Sequence, residues 1–225
     1  MSKRNASWLL AAGAAAAAFS GGAQAASIEI TEWMYNGLGS GSIGEYVELT
    51  NVSNAPVNMT GWSFDDNSRS PGSQSLSAFG TVQPGQSVIL TDDTAAAFRS
   101  RWGLSASVSV IGGNTNNLGR ADEINIYDNV NKLIDRLTYD DQTIGGVRTN
   151  GVSGNILLGN LGANNAAAAV KSTVGDTFGS HADSLGEVGN PGTYAPVVPL
   201  PAAAWLLLSG LGALGAKARR VRQTT

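Results

Sequence analysis

Four pairs of neighbouring carboxylates, Asp65-Asp66, Asp92-Asp93, Asp122-Glu123 and Asp140-Asp141, are the residues of this chain most able to do chemistry. Clustered oxygen ligands suit a hard cation such as calcium, and loops at strand ends can bring such pairs together. No stretch has the D-x-D-x-D-G spacing of a calcium loop, and acidic turn residues also serve as caps and Asx-turns. Asp65, Asp66, Asp140 and Asp141 are the least arbitrary calcium ligands; no other cofactor is expected.

Catalysis has thinner support. His181 is the only histidine, so a two-histidine metal site is excluded and a Ser-His-Asp arrangement would have to use this one residue. It stands among small residues, Gly179-Ser180-His181-Ala182-Asp183, that read as loop. Glu45 and Glu48 are three apart; on a strand that spacing puts them on opposite faces, which separates them as an acid and base. Gly39-Ser40-Gly41-Ser42-Ile43-Gly44 spells G-x-G-x-x-G. A dinucleotide site needs a helix after those glycines to meet the pyrophosphate, and an alternating strand pattern follows instead. The segment reads as a flexible loop, and no catalytic residue is assigned.

These residues sit in a β-rich frame. Ile28, Ile30, Trp33 and Met34 open it, and Tyr46, Val47 and Leu49 alternate with Glu45, Glu48 and Thr50 as in a half-buried strand. Further strands are expected at Gly61 to Asp65, Ser87 to Thr91, Val108 to Ile111, Glu123 to Tyr127 and Leu133 to Tyr139, separated by Gly, Pro, Asn and Asp clusters. Asp128 to Asn131 reads as a hairpin connection. The pattern predicts an all-β fold, a β-sandwich. One helix interrupts it from Thr94, with Asp92, Asp93 or Thr94 as cap, a Phe98/Trp102 pair four apart and Gly103 as stop. That aromatic pair is expected to close one end of the core. There is no cysteine, so stability must come from packing.

The two ends carry signals of another kind. Lys3 and Arg4 precede an apolar run from Trp8 to Phe19, and Ala23-Gln24-Ala25 is a small-x-small cleavage site. That is the order of a secretory signal peptide cut after Ala25. At the other end, prolines mark a boundary before an uncharged stretch from Ala202 to Ala216, with Lys217, Arg219, Arg220 and Arg222 behind it. The basic cluster is expected to stay cytoplasmic. The 15 residues of the uncharged stretch would reach about 22 Å as a helix, short of the roughly 30 Å hydrocarbon core, which suits a temporary tether. The part between the signals holds all 17 acidic residues and 8 of the 14 basic ones, a formal charge of −9. Such a surface repels phosphate backbones, so nucleic acid is not an expected partner.

Val198-Pro199-Leu200-Pro201-Ala202, the Trp205-Leu206-Leu207-Leu208 helix and Arg219-Arg220 resemble a PEP-CTERM sorting signal in its Val-Pro-Leu-Pro-Ala variant, with Leu200 where the family's glutamate would stand. The resemblance implies recognition by an exosortase, a membrane-embedded sorting enzyme of Gram-negative bacteria that make extracellular polysaccharide. An ordinary single-pass anchor is the plainer alternative.

The exported part has its own resemblance. Ile28 to Asn36, Gly44 to Asn51, Pro56 to Ser63, Val82 to Leu90 and Asp122 to Tyr127 recur in the order of a bacterial lamin-tail domain. This implies an immunoglobulin-like sandwich with a binding or structural role. The expected organisation is a signal peptide over 1–25, a lamin-tail-like sandwich over 26–141, a Gly/Ala/Asn-rich extension over 142–195 that packs on the sandwich or forms a small hairpin, and a sorting segment over 196–225.

The reading favoured is a noncatalytic structural or adhesive protein. It would be exported, held briefly at the inner membrane by its C-terminal helix, then passed to the cell surface or polysaccharide matrix, where polysaccharide or surface proteins would be its partners. The alternatives are a calcium- or carbohydrate-binding secreted module and, behind it, a secreted hydrolase using His181.

Overall fold

The computed structural model describes residues 28–40 and 43–194. The expected signal peptide and sorting segment lie outside them. Seven strands precede the helix: β1 (Ile28–Met34), β2 (Tyr46–Asn51), β3 (Val57–Asn58), β4 (Ser63–Asp65), β5 (Gln74–Ser75), β6 (Thr81–Val82) and β7 (Ser87–Thr91). After α1 (Ala95–Trp102) come β8 (Ser109–Ile111), β9 (Ala121–Tyr127), β10 (Leu133–Asp140), β11 (Gly154–Asn155), β12 (Val170–Lys171), β13 (His181–Ala182) and β14 (Val188–Gly189).

Two sheets face each other as an immunoglobulin-like sandwich. One runs β12-β11-β1-β2-β7-β8 and the other β10-β9-β4-β5; β3-β6 and β13-β14 are separate ribbons. Ile30, Trp33, Val47, Leu49, Val88 and Leu90 from the larger sheet meet Phe64, Ile124, Ile126, Leu137 and Tyr139 from the smaller one. This is the alternation of inward side chains that a sandwich requires.

β1 keeps its apolar residues inward only by slipping register. Ile28 and Ile30 share one parity and Trp33 and Tyr35 the other, and all four lie in the inter-sheet core. A bulge between Ile30 and Glu32 reconciles them: an added residue turns the following side chains to the opposite face. The Ile30 N–H at this irregularity donates to Asp135 Oδ2 on β10 at 2.8 Å, tying the two sheets together.

The half-buried pattern expected for β2 is corrected by the structure, for all six of its residues are buried. Its polar face, with Glu48 and Thr50, is covered by chain more than a hundred residues later. The aromatic pair of α1 also sits elsewhere than expected. β7 pairs with β8 in parallel, which demands a crossover, and α1 is that crossover. It therefore lies on the outer face of the larger sheet. There Phe98 and Trp102 form a second core with Met34, Tyr46, Ile89 and Val110 rather than closing the end of the first.

Local chemistry fixes the ends of α1. Of the three cap candidates, Thr94 serves, its Oγ1 accepting the Ala97 N–H at 3.2 Å. Gly103 terminates the helix at φ 63°, the left-handed region where a side chain would be strained.

The chain beyond residue 141 joins this architecture. β11 adds to the free edge of β1 and β12 to β11, and Ala166 enters the inter-sheet core. Residues 188–194 then cross the outer face of the larger sheet as a strap. Ser153 N–H donates to Val188 O at 2.8 Å, and Tyr194 Oη donates to Ile156 O at 2.8 Å.

Candidate functional site

The carboxylates nominated for calcium are not brought together. Asp65 is the register partner of Asn125 and Asp140 of Ala121 on the same strand β9, four residues or roughly 13 Å apart along it. Each is engaged locally. Asp65 Oδ2 accepts from Ser68 Oγ at 2.7 Å and from the Ser70 N–H at 2.5 Å, and its Oδ1 accepts from Asn116 Nδ2 at 3.2 Å. Asp66 Oδ1 accepts the Ser68 N–H at 2.8 Å. Asp140 accepts the Gln142 N–H at 2.8 Å and the Thr143 hydroxyl. Asp141 forms a two-point pair with Arg120 at 2.6 and 2.7 Å. Among the described residues no group of three or more His, Cys, Asp or Glu side chains is arranged to hold a metal ion. The spacing signals turns and ion pairs, and the four aspartates do not form one cluster.

A cleft of about 230 Å³ does gather Asp122, Glu123 and Asp140 with Asn67 and Ile144. Its acids are also spent. Asp122 accepts N–H groups from Gly119 at 2.6 Å and from Asn67 at 3.2 Å. Glu123 is gripped by Arg69 at 2.7 and 2.6 Å, and this pairing pushes its carboxyl down to about 2.

His181 is exposed on the short strand β13 rather than in a loop. Its ring stands edge-on to Trp102, 5.6 Å between centroids at 87°. Nε2 is 3.4 Å from Trp102 O. In the loop expected at 39–44, Ile43 O accepts the Gly39 N–H at 2.9 Å and Asp92 Oδ1 accepts the Gly44 N–H at 3.0 Å. No helix follows it before β2.

What sequence reasoning missed is a buried polar layer on the outer face of the larger sheet. Glu32 and Glu48 are register partners on β1 and β2, and both are fully buried. Glu48 accepts from Thr31 Oγ1 at 2.8 Å and from the Gly192 N–H at 2.7 Å. Glu32 accepts from Ser153 Oγ and from the Asn190 N–H, the latter at 2.9 Å. Hydroxyls and amides extend the layer: Thr31 with Thr50 at 2.9 Å, Thr50 with Ser87 at 2.8 Å, and Asn155 Nδ2 to Asn190 Oδ1 at 2.9 Å. None of the ion pairs among the described residues reaches Glu32 or Glu48. Burial therefore pushes both carboxyls up, and for Glu48 the neighbouring Glu32 adds to the effect. The strap seats closely here because residue 189 is glycine; a Cβ would collide with Tyr46 Oη, Glu32 Oε1 and Ser153 Oγ.

Beside this layer a second cluster binds the β13-β14 ribbon to α1. Arg101 lies 3.0 Å from Glu187, 3.5 Å from Asp183 and 3.7 Å from Asp93. Glu187 Oε1 also accepts the Leu38 N–H at 2.6 Å. At the other end of β2, Glu45 accepts the Leu118 N–H at 2.6 Å and is pushed up to about 8 by burial. Glu45 and Glu48 point apart, and the carboxylate facing Glu48 is Glu32.

Among the described residues no helix is long and apolar enough to cross a membrane; the stretch expected to do so, Ala202 to Ala216, lies outside them. No curated protein matches the chain. The family model described as Lamin Tail Domain matches residues 22–141, more than half of the sequence. It covers the two sheets except β11 and β12, which add an edge beyond the match. On that match and this sandwich, the chain belongs to the lamin tail domain family.

Proposed function

We propose that this is an exported, noncatalytic structural or adhesive protein, sorted by an exosortase-type enzyme to the cell surface or extracellular polysaccharide matrix. The observation that carries the reading is the order of its parts. A basic residue pair, an apolar run and Ala23-Gln24-Ala25 precede the sandwich, and Val198-Pro199-Leu200-Pro201-Ala202, an apolar stretch and Arg219-Arg220 follow it. The region between carries the formal charge of −9, consistent with a soluble face and no nucleic-acid partner.

The noncatalytic role is supported by how the acids are used. Asp65, Asp66, Asp140 and Asp141 cap turns or pair with arginine, and Glu32 and Glu48 are sealed beneath the strap. The membrane would be a transient partner through Ala202 to Ala216, and polysaccharide or surface proteins the final ones.

Fractionating native-host cells that express either the full chain or a chain ending at Tyr194 tests the proposal. The full chain is expected at the surface or in the matrix, and the shortened one in the periplasm or free in the medium. Identical distributions would overturn it.

A further inference from the structure

The strap over residues 188–194 is fastened to the sheet by a small set of bonds, and two of its backbone donors end on the two carboxylates beneath it. Asn190 N–H goes to Glu32 and Gly192 N–H to Glu48, at 2.9 and 2.7 Å. Register partners on adjacent strands place their Cβ atoms about 5 Å apart. In a dry layer, two carboxylates carried on such neighbours cannot both be charged cheaply.

The groups facing the pair offer no relief. Tyr46 approaches from β2, Asp176 from the turn after β12 and Tyr194 from the strap itself; each is neutral when protonated and negative when ionised, never positive. The other groups bonded to or packed against the pair, Thr31, Thr50, Ser87, Ser153, Gly189, Asn190 and Gly192, are uncharged. Water is the one agent that can stabilise a second charge, and it must enter under some edge of the cover. On the sheet side β1 pairs with β2 along its length, with one bulge, and β2 pairs with β7. Val188 and Gly189 pair with β13 and Val188 bridges to Val152, but from Asn190 to Tyr194 the strap has no such ladder.

We propose that Glu32 and Glu48 form a proton-operated latch: while the pair shares a proton the strap stays fastened, and when that proton leaves to solvent the repulsion of two buried charges releases the strap. The device acts well below global unfolding, because the inter-sheet core lies on the opposite face of β1 and β2. Burial of both carboxyls places the transition above the ordinary carboxylate range.

Native-state hydrogen exchange of the full chain from pH 5.5 to 8.5, corrected for base-catalysed intrinsic exchange, reads the latch directly. Protection at Asn190 and Gly192 should stay below that at Leu49 in β2, which reads global unfolding, and should fall by about tenfold per pH unit for each proton lost on opening. The double variant Glu32→Gln/Glu48→Gln should flatten this dependence, and either single variant, which leaves one buried carboxyl without a charged neighbour, should reduce its slope. Glu45→Gln, which removes a raised carboxyl held by Leu118 instead of the strap, should leave the pH dependence at Asn190 and Gly192 intact. Protection there that is constant with pH in the unsubstituted chain, or equal to that of Leu49 throughout, would overturn the proposal. So would a slope that survives the double variant, or one that Glu45→Gln abolishes.

Discussion

Glu32 and Glu48 face each other across β1 and β2 with both carboxylates fully buried, and each receives a backbone N–H from the same strap. A sheet with one polar outer face has thereby acquired a second covered side.

Stability should fall as pH rises from about 5 to about 8. Glu45 is raised to about 8, and Glu32, Glu48 and Asp135 are raised as well, all chiefly by burial. A raised carboxyl keeps its proton in the folded state after the unfolded chain has lost it. Its stabilisation is therefore complete below the unfolded value and is lost as pH climbs through the folded one. Thermal melts across this range should show a midpoint that declines steadily; a flat profile would contradict the burial of these acids.

The acid limb has the opposite sign and a different owner. Glu123 is held down to about 2 by Arg69, so its contribution is present above the ordinary glutamate range and is lost as pH falls toward 2. Arg69→Ala should move acid unfolding to higher pH. Arg120→Ala, which frees Asp141 near the surface, should move it much less; equal shifts would refute the distinction.

The second core should be worth as much as its packing suggests. Phe98 is fully buried against Tyr46, with ring centroids 5.4 Å apart, and Trp102 lies beside it. Phe98→Ala should cost about 3–5 kcal/mol by urea denaturation. A loss under about 1 kcal/mol would mean that α1 is weakly docked.

Thr94→Ala removes the side-chain acceptor for Ala97 N–H. A loss of about 1 kcal/mol is expected, read as a midpoint lower by roughly 2–4 °C for a domain of this size.

Millimolar calcium should leave the melting temperature within about a degree of the value in chelator, since a ligand stabilises only through binding the folded state. A rise of several degrees would restore a calcium site to a chain whose candidate aspartates are occupied by N–H, hydroxyl and arginine donors.

Much of the frame was legible where residues alternate over enough length. Ser87 to Thr91 was read at its observed bounds, and Glu123 to Tyr127 and Leu133 to Tyr139 fall within β9 and β10. The cap, aromatic pair and glycine stop of α1 were legible too, because capping is local. The two-residue strands β11 to β14 were not, since two residues carry no alternation, and β11 pairs besides with β1, more than a hundred residues away. The buried pair was hidden for a related reason. Glu48 occupies a polar position in an alternating strand, which reads as solvent-facing, and what covers it arrives at Gly192. Glu32 sits at the bulge where the alternation of β1 breaks.

The central claim, export and sorting of a lamin tail domain, is tested most directly by the intact mass of the protein recovered from membrane and extracellular fractions of its native host. The account predicts a species that begins after Ala25 and ends near the Pro199 to Pro201 boundary. A mass that retains Trp205 and Arg220 in every fraction would contradict exosortase processing and leave an inner-membrane protein displaying its sandwich outward.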